Sequence, residues 1–320
     1  MSTVLARPAA VVAGDHATAT SRAGPARRRG LSRKWRRALV AYAFLLPPVG
    51  VYALFMVLPW VQTIVLSFFN WDGIGAKTAA GWSNYAHVFD DAQLREAVIH
   101  SFELMLYFCV IPIVAALFLT ALISGPRRPR WTFTRAVLFV PQVLPPVAVA
   151  VMWQWMYGNQ GFINQLLGWV GLSRVAQPWL ASFTWAFPAV GLVGSWVTLG
   201  LCLAFFIAGS QRIPLDLYEA VATDGGGRYR QFRWVTLPHL RSEIVIASTV
   251  TAIFAMSAFD IVFVMTGGGP GVATIVPGLL IYQLAFTSDQ IGQASALAVV
   301  LSLIVLVVIT LLRVVGKERR

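Results

Sequence analysis

The chain has 320 residues, 58% of them hydrophobic and only 12% charged, with a mean hydropathy of +0.70. A soluble domain carries about a quarter charged residues, so this composition excludes one and makes lipid the main solvent. The formal net charge of +12 would suit nucleic acid, but the basic residues cluster beside apolar runs and favour a membrane surface.

Residues 1–36 are rich in Ala, Ser, Gly and Arg and hold too few large apolar groups to bury, which predicts a disordered basic cytoplasmic tail. A cleaved signal peptide is the rival reading. The apolar run that follows is too long for one, and no small-residue cleavage site succeeds it. Crossing a bilayer takes about 20 helical residues, and six runs qualify: 39–67, 98–123, 135–157, 186–209, 244–265 and 291–315. The stretch "ALAVVLSLIVLVVITLL" at 296–312 is apolar all round, which excludes the alternating strands of a barrel.

The first run contains Pro47, Pro48 and Pro59, tolerated in lipid and expected to kink the helix. The following loop, 70–97, mixes Trp, Tyr and acids and reads as an interfacial aromatic belt. Cys109 and Cys202 fall inside apolar runs and read as small hydrophobes. Residues 158–186 and 266–290 are too polar to cross and too apolar for water, so short interfacial or re-entrant segments are expected in both. Of the 25 Lys and Arg, 22 fall on one side of the implied topology, and only Lys77, Arg95 and Arg174 on the other. The positive-inside rule then places both termini in the cytoplasm.

Between the fourth and fifth runs lies a polar elbow, "QRIPLDLYEAVATDGGGRYRQFRWVTLPHL", residues 211–240. Pro214 suits a first helical turn, Asp216 and Glu219 complement the dipole, and Gly225 to Gly227 stop the helix. Leu217, Ala220, Val221 and Asp224 share one face of it. Tyr229, Phe232 and Val235 recur at helical spacing in a second short helix that Pro238 ends. The pattern by itself favours a helix lying among headgroups over a docking element for a cytoplasmic partner.

No G-x-x-x-x-G-K-[ST] phosphate loop is present, and the four histidines have no metal-ligand spacing. A secondary carrier would place ionisable groups at the midplane for its coupling ion. Of the acidic residues only Glu103 and Asp260 lie within the apolar runs, both offset outward. A membrane-embedded enzyme would need a convergent polar site, for which His100, Glu103 and Asp260 are the candidates. Asp260 reads either as an acceptor on a polar solute path or as an acid packed against a neighbouring helix.

The elbow resembles the EAA loop of permease subunits of bacterial ABC importers, with Glu219, Ala220, Gly225, Leu237 and Pro238 in register after Asp224 and with Val221 and Val235 as conservative departures. Gly226 and Gly227 follow the usual Asp and Gly. Over about 36–315 the chain is similar to the sugar permeases typified by the maltose and glycerol-3-phosphate importers, through "WSNYAHVFDD", "RAVLFVPQVLPPVAVAVMWQWMY", "FDIVFVMTGGGPGVAT" and "GQASALAVVLSLIVLV". The resemblance implies an all-α integral membrane protein of six transmembrane helices with a cytoplasmic coupling-helix elbow: tail 1–36, permease domain 37–316 with the loop at 211–240, and C-terminal tail 317–320. It implies an inner-membrane transport subunit with no cofactor of its own, ATP and Mg being used by a partner. The implied partners are a second homologous permease, two ATPase subunits, an extracytoplasmic solute-binding protein and membrane lipid, without nucleic acid. A sugar is held by aromatic stacking and hydrogen bonds, so Trp153, Trp196 and Asp260 are the expected path residues, with packing or an interfacial belt as the other reading of the two tryptophans.

Overall fold

The structure is a computed structural model that describes residues 33–123 and 132–317. Most of the expected tails, 1–36 and 317–320, and most of the basic connection at 124–135 lie outside the described residues; residues 33–36 and Lys317 of those tails belong to helices. The chain divides into two compact units, Met1–Val57 and Leu58–Arg320. The first contains α1, Arg33–Tyr52, with Pro47 and Pro48 inside it, and a π-helical turn at Ala53–Val57.

The second unit opens with α2, Leu58–Leu66. A two-stranded antiparallel hairpin follows, β1 (Phe69–Asn70) with β2 (Thr78–Ala79), Phe69 facing Ala79 and Asn70 facing Thr78. Then come α3 (Ser83–Asp90), α4 (Ala92–Met105) and α5 (Ile111–Ile123). Asp91 starts α4 by accepting from the amides of Gln93 and Leu94 at 2.7 and 3.2 Å, as an N-cap should. The third region is α6 (Thr132–Val143), α7 (Pro146–Met156) and α8 (Phe162–Trp169). The long α9 (Ala186–Ser210) leads into the elbow, α10 (Leu215–Thr223), α11 (Arg228–Gln231) and α12 (Leu237–His239). The chain returns through α13 (Arg241–Met256), α14 (Asp260–Met265), α15 (Pro277–Phe286) and α16 (Ile291–Lys317).

Among the described residues four helical runs are long and apolar enough to cross a membrane: Arg37–Leu66, Ala92–Leu122, Ala186–Ser210 and Ile291–Gly316. Counting two sharply bent pairs as one span each brings the number to six. The expected third helix, 135–157, is not continuous: Val137–Val143 and Pro146–Met156 meet at 112°. Pro145 and Pro146 cause the break, because a residue before proline is driven out of the helical region and proline itself is at home only in a first turn. The expected fifth helix, 244–265, also breaks. It stops at Met256 and restarts at Asp260.

Two of the prolines that stay inside helical runs share another accommodation. Pro112 and Pro238 each follow a π-helical turn, Leu106–Val110 and Phe232–Thr236 respectively. In each, the amide just before the proline bonds five residues back, Ile111 to Leu106 and Leu237 to Phe232. The widened turn moves the preceding carbonyls away from the proline ring. Pro238 therefore does not end the second arm; that arm runs to His239 and bends by 66° into α13.

Helix α9 is the spine, packed against α5, α6 and α13. Lipid offers no hydrophobic drive between helices, so close packing must hold them together. Gly191 and Gly194 supply it: a Cβ at either would run into the ring of Tyr107 or Phe108. Tyr107 is then fixed by Ser195 Oγ, which donates to its carbonyl at 2.6 Å.

At the end of α9 away from the elbow, a polar cap closes the bundle. The fully buried Asn84 amide donates to the carbonyls of Ser67 and Phe69, each at 3.0 Å, and Tyr85 meets Ser67 Oγ at 2.6 Å. The Ile291 amide donates to Trp71 O at 3.0 Å, tying the hairpin to α16. Of the aromatics expected as a loose belt, Trp82 and Tyr85 pack with Phe68 as a cluster. Amides of Ile74 and Gly75 point at Asp72 and hold its carboxyl below the usual carboxylate range.

Candidate functional site

The elbow is built by its turn chemistry. Pro214 stands just before α10 rather than in its first turn, with extended backbone, and Asp216 lies in the first turn. At the other end the Gly225 amide donates to Ala222 O at 3.0 Å and the Gly226 amide to Val221 O at 2.8 Å. These two bonds form a Schellman motif with Gly225 at its left-handed position, φ +73°. No atom lies within 4 Å of a Cβ built on Gly225, so its backbone angle alone calls for glycine.

The second arm folds back on the first. Tyr218 Oη meets Thr236 Oγ1 at 3.0 Å, and the Gln231 amide donates to Tyr218 O at 3.3 Å. Tyr218 and Val221 are the half-buried residues of α10, while Leu217, Ala220 and Asp224 are exposed. The expected apolar face thus turns outward at three of its four positions, because Tyr218 takes the inward place. Glu219 and Gly225 are exposed as well, Leu237 is half-buried and Pro238 exposed. In the second arm Tyr229 and Trp234 are 78% and 69% exposed, whereas Val235 is buried. A recess of about 370 Å³ between the arms is lined by Val221, Asp224, Gly226, Arg230 and Trp234. The recess sets an acid, Asp224, and a base, Arg230, beside the apolar Val221 and Trp234.

The three expected path residues are divided between two neighbouring places. Trp153 and Trp196 touch, ring centroids 5.6 Å apart at 70°, and Trp153 also packs on Tyr157 at 5.4 Å. Both indoles are half-buried against the main core, and Trp153 Nε1 is buried with no hydrogen-bond partner. Asp260 is exposed at the start of α14 and lines a separate cavity of about 210 Å³ with Gln142, Gly194, Thr198, Ser257 and Phe259. This cavity sits where both helix breaks converge. Non-helical backbone at membrane depth is tolerated only where it is covered by protein or faces a cavity, and broken helices are where transporters hold solute.

Gln142 was missed in the sequence, although its signal was there: it is an amide in the apolar stretch "FVPQVLPP". Its Oε1 is buried at this cavity without a partner, which leaves an acceptor in place for a hydroxyl. The Tyr218 to Thr236 bond was not legible, since the residues stand 18 apart on different arms.

The bundle, the exposed elbow and the cavity at broken helices together have the form of a transport subunit. Residues 113–320 match the family described as binding-protein-dependent transport system inner membrane component. The trehalose/maltose transport system permease protein MalF of Thermococcus litoralis is 32% identical over 291 residues, covering 90% of this chain and 97% of that one. The diacetylchitobiose uptake system permease protein NgcF of Streptomyces coelicolor is 31% identical over 316 residues, 94% of this chain and 90% of its own length. A crystal structure of a bacterial ABC transporter involved in the import of alginate shares the fold, with a TM-score of 0.75 at 20% identity over 90% of this chain and 99% of that one. The chain belongs to this family: it is a multi-pass inner-membrane permease component of a binding-protein-dependent ABC importer, a transport component and not an enzyme.

Proposed function

We propose that the chain forms half of the path for a carbohydrate, paired with a second homologous permease, and that its elbow couples the path to two ATPase subunits. A solute-binding protein delivers the sugar on the outer side. ATP and Mg are used by the ATPase chains, and this chain binds no cofactor. The observation that carries the coupling reading is the elbow itself: a locked pair of short helices that leaves Leu217, Ala220, Glu219 and Trp234 outward. An isolated headgroup anchor has no need of arms bonded to each other. The carbohydrate reading is supported by relatives named for trehalose, maltose, glucose and diacetylchitobiose systems, and by the cavity that joins Asp260, Gln142 and Phe259. Hydroxyls, a carboxylate, an amide and an aromatic ring are the grips a sugar needs.

Reconstituted with its cognate binding protein, second permease and ATPase, the importer is expected to take up at least one of trehalose, maltose, glucose and diacetylchitobiose in an ATP-dependent manner. Uptake of none of them would remove the carbohydrate assignment.

In the proposed orientation both termini and the elbow are cytoplasmic. Single cysteines introduced at Ala80 and Val170 are expected to react with a membrane-impermeant thiol reagent added outside intact cells, and one introduced at Arg228 is not. Labelling at 228 from outside would reverse the orientation and with it the coupling role.

A further inference from the structure

A second polar groove lies away from the Asp260 cavity, between α4 and the start of α9, at the end of α9 opposite the elbow. Its volume is about 580 Å³, within the range of small-ligand pockets. Glu96, His100 and Glu103 stand at helical spacing on one face of α4 and line it together. The floor is aromatic: Phe187 sits half-buried with its centroid 5.0 Å from the His100 ring and 6.1 Å from that of Tyr107. His100 Nδ1 donates to Ile275 O at 2.8 Å, which leaves Nε2 for another partner.

Glu103 makes this groove more than a surface dimple. It is the sixth residue of the apolar run 98–123, within the helix Ala92–Leu122 that is long and apolar enough to cross, and its side chain is exposed. Among the described residues neither Glu103 nor Glu96 has a hydrogen-bond or ion-pair partner. A carboxylate within an apolar run is costly to turn to lipid, which favours water, solute or protein against this face of α4. The face is concave, lined by a flat ring, and the two carboxylates at its rim accept hydrogen bonds. A convex protein partner would have to supply a cation for each carboxylate. A pyranose supplies what the groove lacks, a C–H face for Phe187 and several hydroxyl donors for Glu96, Glu103 and His100.

We propose that this groove is a second, outer subsite for a polyhydroxylated solute, separate from the Asp260 cavity. The inference rests on the carbohydrate reading above. It assigns Glu96 and Glu103 as hydroxyl acceptors and Phe187 as the stacking surface.

The test uses the assembled importer in liposomes carrying Thr184→Cys, a substitution at an exposed groove residue; the native Cys109 and Cys202 are buried. Trehalose, maltose, glucose and diacetylchitobiose are each assayed for uptake and for protection of the introduced thiol against an impermeant reagent added outside. The sugar that is taken up is expected to protect, and Glu103→Gln or Glu96→Gln to raise the half-protecting concentration about tenfold, the worth of one charge-assisted hydrogen bond. Uptake without protection, no labelling at all, or protection unchanged in both Gln variants would overturn the subsite while leaving the carbohydrate reading intact. Uptake of none of the four would remove both.

Discussion

Glu219→Lys and Gly225→Asp are each expected to abolish uptake while the subunit remains inserted in the membrane. Glu219 is exposed on α10, and no described residue pairs with it, so the fold itself does not depend on its charge. In an ATPase groove the same carboxylate would pair with a cation under partial desolvation. Reversing its sign there leaves two like charges together, and breaking such a pair costs about 3–5 kcal/mol, more than about a hundredfold in docking.

At Gly225 two effects must be separated. The left-handed backbone at φ +73° disfavours any side chain by about 1–2 kcal/mol, and nothing within 4 Å opposes a Cβ. Gly225→Ala is therefore expected to lower coupling mildly, whereas Gly225→Asp adds bulk and charge where the partner approaches. The measurement is co-purification of the ATPase with each variant, together with ATP hydrolysis stimulated by loaded binding protein. A headgroup-lying elbow predicts the contrary, because Glu219→Lys would strengthen its attraction to anionic lipid. Wild-type docking and hydrolysis in both variants would leave the elbow as an interfacial anchor.

Asp260→Asn is expected to cut uptake about ten- to hundredfold with ATPase docking unchanged, the range for losing a charge-assisted hydrogen bond to solute in a low-dielectric cavity. The substitution keeps shape and leaves the Phe259 to Phe263 stack, centroids 5.1 Å apart, undisturbed. Trp153→Ala tests the neighbouring indole pair. If its effect is on packing, the amount of subunit in the membrane falls; if it touches solute, the preference among sugars shifts at constant amount. Uptake and preference unchanged in both Asp260→Asn and Trp153→Ala would remove these residues from the path.

Apolar runs were legible because the bilayer imposes a length on any crossing helix: four of the six expected runs fall on long helices and the third on a bent pair, while the fifth falls on α13 and α14 with a break between them. What the runs concealed was direction. Hydropathy is summed over a window and is blind to backbone angle, so 135–157 read as one helix although its halves meet at 112°. Pro145 and Pro146 were visible there, but a proline in lipid can kink a helix, break it or sit behind a π turn, and its neighbours decide which. The second break, Ser257 to Phe259, contains neither Pro nor Gly. It accompanies the packing of α14 against α7 and of Phe259 against Phe263 and Tyr282.

The turn of the elbow belongs to the sequence alone, since a left-handed cap is a local demand and Gly225 answers it whatever surrounds it. The face that the elbow presents does not, because Tyr218 turns inward only when Thr236 of the other arm is there to receive it. The same division holds in the interior. Composition places Glu103 and Asp260 in apolar helices and marks each as costly. Only the tertiary structure sets Asp260 with Gln142 at two helix breaks, and Glu103 with Phe187 in a groove of its own. Periodicity along a helix says which residues share a face; which faces meet depends on close approach between distant segments, here permitted by Gly191 and Gly194 of α9.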